Sequence, residues 1–351
     1  MKRELILNKD HLSYFLRQLR NQMELIGPMR TMEGDVLFRS VQEIHRIELD
    51  CPALLPSVKE FFFPQYEPLF LAEGNRLLER IDRRKRVIFG LRSCDVAALN
   101  ILDRFFIDEM PDPYYRARRK NTLLISVVCN NPDPTCFCIG LNTGPYLSEG
   151  FDIQFTDLGD RYFVQTASKR GLKVVSSLGF LFKRASKADH DDQYEVILSS
   201  KARFQKRISL EQSRQLILSD RVKEDFWHSV TKRCFECGGC VYECPLCTCF
   251  TVVDREYEEE GVERARLWDT CLFKGFTRMA GGVLPNRQRV KRTKRWFYHK
   301  LIHYPEVLNT FGCVGCGRCT VTCPGRIDMA TICTKLKTIA LNGEVTEDET
   351  D

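Results

Sequence analysis

The sequence lacks the marks of export. Its first twenty residues, MKRELILNKDHLSYFLRQLR, are charged and hold no apolar stretch of the kind a secretory leader needs. They read as a charged amphipathic helix. Nor is there an uncharged apolar run of about twenty residues, the length that spans a bilayer. These two lacks predict a cytoplasmic protein with no transmembrane segment. Common catalytic signatures are missing as well. No G-x-G-x-x-G follows a strand-like run, so no dinucleotide fold is indicated. There is no P-loop, no metalloprotease H-E-x-x-H and no G-x-S-x-G elbow. Histidine is scarce, with 6 in the chain: His11, His45, His190, His228, His299 and His303. Only His299 and His303 stand at helical spacing, and they read as surface or packing residues ahead of a ligand pair. A formal net charge of +6 is too mild to imply nucleic acid. The basic run RQRVKRTKRWFYHK, 287–300, reads as a solvated helix face or a docking surface.

Cysteine, by contrast, is abundant, at 17 in 351 residues. With 43% hydrophobic residues the chain can bury a core and needs no disulfide staples. In a reducing compartment, regularly spaced cysteines bind metal more often than one another.

Two regions differ in texture. Residues 1–225 read as an α/β domain. RVIFGL (86–91) and TLLISVV (122–128) are short apolar strand candidates, and CDVAALNILDRFF between them is helix-like. FDIQFTDLGDRYFVQTA alternates on both sides of Gly159-Asp160, which predicts a β-hairpin. The polar stretch SLEQSRQLILSDRVKEDFWHSVTKRC reads as a helical lead into residues 226–351. There cysteine, glycine and short helical pieces dominate, as in an α-rich dicluster ferredoxin-like domain.

That second region repeats itself. CFECGGCVYECP (234–245) and CVGCGRCTVTCP (313–324) both obey C-x2-C-x2-C-x3-C-P. Cysteines at steps of three wrap one face of an iron–sulfur cube. Glycines between them let backbone N–H groups approach the sulfurs and tune the reduction potential. In two-cluster ferredoxins the fourth cysteine of each run ligates the other cluster. This crossed pattern assigns one [4Fe–4S] cluster to Cys234, Cys237, Cys240 and Cys323, and the other to Cys313, Cys316, Cys319 and Cys244. Zinc prefers four ligands in two separated pairs and fits two complete runs less well. The runs stand 69 residues apart, from Cys244 to Cys313, so a long insert separates the two motifs. The insert carries Cys247, Cys249 and Cys271. Three thiols fall one short of a cube, and packed thiols are the plainer reading.

Residues 129–138, CNNPDPTCFC, follow the TLLISVV strand, and Cys94 follows RVIFGL. If these strands neighbour each other in a parallel sheet, their ends open on one edge, where ligands of open α/β sheets collect. Cys94, Cys129, Cys136 and Cys138 would then converge, the right number for a third [4Fe–4S] cluster. A zinc site with the same ligands, or thiols that merely pack, are the alternatives. Cys51 and Cys333 read as ordinary packed thiols.

With clusters and no substrate-activating group, the chain reads as a conductor of electrons. The combination LRSCDVAALNILDRFF, TCFC, CPLCTCF, WDTC, FTRMAGG and CVGCGRCTVTCP resembles the iron–sulfur β subunit of cytoplasmic sulfhydrogenase-type [NiFe] hydrogenases. It is similar also to the A subunit of anaerobic sulfite reductase. The likeness runs from about residue 35 to 335. It implies an electron-transfer subunit of an anaerobic oxidoreductase complex, without turnover of its own. Electrons would pass from a flavin-containing, NAD(P)H- or ferredoxin-linked subunit to a catalytic redox subunit. FFFPQYEPLF (61–70) leans toward a hydrogenase as that partner. A sulfite reductase subunit and a self-contained iron–sulfur reductase are the other readings. Nucleic-acid binding ranks last.

Overall fold

The computed structural model describes residues 3–51, 56–257 and 261–342. Its strands are β1 (Glu4–Asn8), β2 (Glu24–Arg30), β3 (Val36–Ser40), β4 (Tyr66–Glu73), β5 (Arg76–Glu79), β6 (Arg86–Leu91), β7 (Thr122–Val127), β8 (Ile153–Asp157), β9 (Arg161–Thr166), β10 (Phe182–Arg184), β11 (Phe250–Tyr257) and β12 (Gly261–Trp268). Eight of them form one sheet in the order β10-β1-β9-β8-β7-β6-β2-β3, and the other four form a second in the order β11-β12-β4-β5.

The centre of the larger sheet is parallel: β2 with β6, β6 with β7, and β7 with β8. β6 and β7 are buried along their whole length, as expected of continuous apolar runs covered on both faces. Val87, Phe89 and Ile125 face Phe15, Leu16 and Leu19 of the helix Lys9–Arg20. Ile88, Leu91 and Leu124 face the opposite way, against Val96, Leu99 and Leu102 of the helix Ser93–Asp103. Gly90 permits a bulge between them: at φ +85° it is left-handed, and a Cβ there would lie 2.9 Å from Pro28 Cδ.

The hairpin foreseen in FDIQFTDLGDRYFVQTA is β8–β9. Two other readings change. The opening stretch is not one helix. ELILN forms β1, held between β9 and β10, and only then does a helix begin, its start capped by Asn8 accepting from the Asp10 N–H. The polar stretch before Cys234 breaks into helices Leu210–Leu218 and Glu224–Lys232, with Asp220 left-handed between them at φ 55°. Both helices thereby lay apolar faces, Leu216–Ile217 and Phe226–Trp227, onto one core.

The second sheet joins distant parts of the chain. β12 runs antiparallel to β4 from Gly261↔Glu73 to Leu267↔Tyr66. The segment between the two cysteine runs therefore builds a hairpin onto strands from the first hundred residues. Fully buried Glu67 anchors the join by receiving both Arg118 and Arg266. No helix among the described residues is long and apolar enough to cross a membrane.

Candidate metal centres

The two cysteine runs fold alike. Glu236 (φ 54°) and Gly238 (φ 77°) in the first match Gly315 (φ 64°) and Gly317 (φ 74°) in the second. These left-handed residues curl each loop around its sulfurs. Backbone N–H groups point inward: Glu236 N lies 3.4 Å from Cys234 Sγ, and Gly315 N lies 3.4 Å from Cys313 Sγ. The crossing cysteines receive the same contact, from Leu246 N to Cys244 Sγ at 3.4 Å and from Ile327 N to Cys323 Sγ at 3.5 Å. Such contacts favour thiolate over thiol. Glu236 is a costly residue for this conformation, and Arg292 holds its carboxylate with Nε at 2.9 Å.

Each crossed set lines one cavity. Cys234, Cys237, Cys240 and Cys323 surround the first, walled by Leu272, Trp296 and Phe297. Cys244, Cys313, Cys316 and Cys319 surround the second, walled by Phe137, Trp296, Lys300 and Met329. Trp296 borders both. Lys300 is 3% exposed. It donates to Cys244 Sγ at 3.1 Å and to the Gly312 carbonyl at 2.7 Å. Burial alone would strip its proton, yet Cys244, Cys247 and Cys313 hold it charged.

The N-terminal four gather beside the second set. Cys94 enters from the end of β6, in the first turn of the helix Ser93–Asp103. Cys129 comes just after β7, and Cys136 and Cys138 from the loop beyond. Cys129 neighbours Cys136 and Cys138, and Cys94 neighbours Cys138. The loop docks on the second cysteine run: Phe137 N donates to the Gly315 carbonyl at 2.8 Å, and Thr143 Oγ1 to the Val314 carbonyl at 2.7 Å. A Cβ on Gly317 would lie 2.3 Å from Thr135 Oγ1, so only glycine admits this approach. Fully buried Arg318 pairs with fully buried Asp95 at 2.7 Å, and its charge also acts on Cys94 and Cys316. It ties the N-terminal thiols to the second set.

Burial pushes these thiols upward, Cys136 and Cys313 to about 12, and Cys94 and Cys138 far above the ordinary range. A metal centre would have to displace those protons. Among the described residues, no three His, Cys, Asp or Glu side chains converge on a point where one ion could sit. Zinc needs four donors about 2.3 Å from a single centre, whereas a cube spreads its ligands over four iron corners. Gly144 backs the N-terminal group, where a Cβ would lie 2.7 Å from Cys138 Sγ. Gly144→Ala is therefore expected to lower bound iron by about four per chain, with the signals of the two crossed sets retained. Unchanged iron would refute that placement.

The insert thiols also cluster. Cys249 and Cys271 meet at the base of the β11–β12 hairpin, where hydrogen bonding from Cys271 brings Cys249 down to about 7. Cys247 lies against Cys244. Lys59, 2% exposed, donates to the Cys247 carbonyl at 2.8 Å and lies 3.9 Å from the centre of the Trp268 ring. Cys51 sits 3.6 Å from the Arg92 guanidinium, and Cys333 packs 3.7 Å from Met329 Sδ. His299 and His303 stand with ring centres 6.3 Å apart, and burial holds His299 down to about 4. Sequence reasoning missed Lys59, Lys300, Arg318 and Trp296. Trp296, Lys300 and Arg318 stood within stretches it had singled out; Lys59 did not.

Crossed cysteine sets on a repeated left-handed loop define a dicluster iron–sulfur protein. Residues 233–327 match the profile of the 4Fe-4S dicluster domain family. Over 322 residues, 92% of this chain and 95% of the relative, the sequence is 30% identical to sulfhydrogenase 2 subunit beta of Pyrococcus furiosus. The chain belongs to the family of sulfhydrogenase β subunits.

Proposed function

We propose that this chain is the electron-transfer subunit of a multisubunit oxidoreductase. It relays electrons between a flavin- and NAD(P)H-linked subunit and a catalytic subunit, a hydrogenase. Bound [4Fe–4S] clusters supply one-electron carriers at potentials set by burial and hydrogen bonds to the ligating sulfurs. The chain's own residues hold, space and bias those carriers. Cys234, Cys237, Cys240 and Cys323 hold one cluster, Cys244, Cys313, Cys316 and Cys319 a second, and Cys94, Cys129, Cys136 and Cys138 a third.

One observation carries the reading: the three thiol groups adjoin one another through shared residues. Trp296 lines the cavities of both the first and the second, and Arg318, paired with Asp95, acts on Cys316 of the second and Cys94 of the third. Adjoining groups of this kind suit a conductor better than a set of isolated structural staples. The name of the Pyrococcus relative favours a hydrogenase as the catalytic partner.

Anaerobic iron and acid-labile sulfide analysis tests this, with EPR of the reduced protein. About twelve irons per chain are expected. Cys94→Ser and Cys138→Ser should each leave about eight and abolish the same signal, while Cys240→Ser abolishes a different one. About eight irons in the unaltered chain would return residues 129–138 to a structural loop.

A further inference from the structure

Twelve of the seventeen cysteines are proposed ligands, which leaves Cys51, Cys247, Cys249, Cys271 and Cys333. Cys51 faces Cys129, Cys247 lies against Cys244, and Cys333 packs on Met329. Cys249 and Cys271 differ from these. Their thiols hydrogen-bond each other, and neither belongs to a ligand set.

The hairpin brings the two together. Phe250 opens β11 opposite Trp268 at the end of β12, and one step further out Asp269 N donates to the Cys249 carbonyl at 2.9 Å. Cys271 follows two residues later, with its backbone N–H also directed at the Cys249 sulfur. The two sulfurs differ in access. Cys249 is partly exposed and Phe250 beside it is 40% exposed, so this end of the hairpin opens to solvent, whereas Cys271 is buried. Arg295 and Lys300 face Cys249. Cations so placed favour the thiolate, which is the reactive form of cysteine. A partly exposed thiolate with a buried thiol against it is the arrangement of an oxidant-sensing pair, one sulfur to react and one to resolve. Cys271 also faces Cys240 of the first set, and Leu272 next to it walls that set's cavity.

We propose that Cys249 and Cys271 form a reversible disulfide on reaction with hydrogen peroxide, and so take up this oxidant ahead of the cluster ligands beside them. The proposal rests on the reading that neither thiol is itself a cluster ligand. In the first step the Cys249 thiolate attacks one peroxide oxygen. The O–O bond breaks, and the departing hydroxide takes a proton to become water. Cys249 is left as a sulfenic acid. In the second step the Cys271 sulfur attacks the Cys249 sulfur, the S–O bond breaks, and the hydroxide leaves as water with the Cys271 proton. Two thiols are thereby oxidised to one disulfide, and peroxide is reduced to two waters. A thiol reductant reverses the change, whereas iron lost from a cluster is not restored in this way.

The test is an anaerobic titration of the metal-loaded chain, its clusters oxidised, with hydrogen peroxide. Thiols are alkylated and the peptides mapped by mass spectrometry, with iron content followed alongside. The first equivalent should link Cys249 to Cys271 without loss of iron, and dithiothreitol should restore both thiols. Cys271→Ser should stop at a sulfenic acid on Cys249, captured by dimedone. Cys249→Ser should bind as much iron as the unaltered chain, form no link, and lose iron at that first equivalent. Iron lost from the unaltered chain before any link forms would overturn the proposal and leave the cluster assignment standing. So would a Cys249→Ser chain that keeps its iron as well as the unaltered one. A loss of about four irons from Cys249→Ser before any peroxide is added would overturn it differently: Cys249 would then be a ligand, and the assignment of twelve ligands would fall as well.

Discussion

Arg318→Met should be the most damaging single substitution outside the cysteines. Arg318 and Asp95 are both fully buried and lie 2.7 Å apart. Removing one member of a buried pair strands the other charge, at a cost of about 3–5 kcal/mol. Here the stranded carboxylate lies next to Cys94, in the first turn of the helix that presents it. The expected result is a fall of several degrees in the apparent melting temperature of the metal-loaded chain. A second substitution, Asp95→Asn, should recover part of that loss, because the neutral amide leaves no bare charge. A melting temperature that stays put in Arg318→Met would mean that the pair contributes nothing. So would a double variant that is worse by the sum of the two singles.

Lys300→Met should lower the reduction potential of the group held by Cys244, Cys313, Cys316 and Cys319. The Lys300 ammonium donates to Cys244 Sγ at 3.1 Å from a buried position. Reduction adds negative charge beside it, so the ammonium favours the reduced form. A hydrogen bond to a charged group contributes about 1.5–3 kcal/mol, which for one electron corresponds to roughly 60–130 mV. Methionine keeps the apolar stem and removes the charge. An EPR-monitored redox titration should show one signal moving down by that amount and the others nearly still. An upward shift, or an equal shift in every signal, would refute the assignment.

The cysteines were legible in the sequence because their spacing repeats, and because strand-end geometry is a rule that needs no coordinates. RVIFGL and TLLISVV declared themselves by unbroken apolar runs, and the structure makes them adjacent and parallel. The buried cations were not legible. A lysine under a tryptophan ring and a lysine in water are written with the same letter, and Lys300 ends a run whose charge pattern looks solvated. Glu24, Asp82 and Arg86 form another such group, tied by ion pairs of 3.0 and 2.6 Å in a stretch that reads only as polar. The hairpin of β11 and β12 escaped notice for a different reason. Much of it is exposed, so charged residues interrupt the alternation that would have revealed it. In ELILN the run was too short for a period of two to outweigh the helical pattern that follows.

The docking of the N-terminal loop on the second cysteine run has a consequence in time. Cys136 and the Cys316 carbonyl, 3.5 Å apart in the folded chain, are separated by 180 residues of synthesis. At about 5–20 residues per second, the ribosome takes roughly ten to forty seconds to deliver the second after the first. Through that interval Cys94, Cys129, Cys136 and Cys138 wait at an unfinished sheet edge. Gly315 and Gly317, which will cover the loop, have not yet been made. The nascent chain is therefore exposed to oxidants and stray metals at the group that ends up most deeply enclosed. On the proposed reading, loading of that group with iron and sulfide belongs at the close of synthesis.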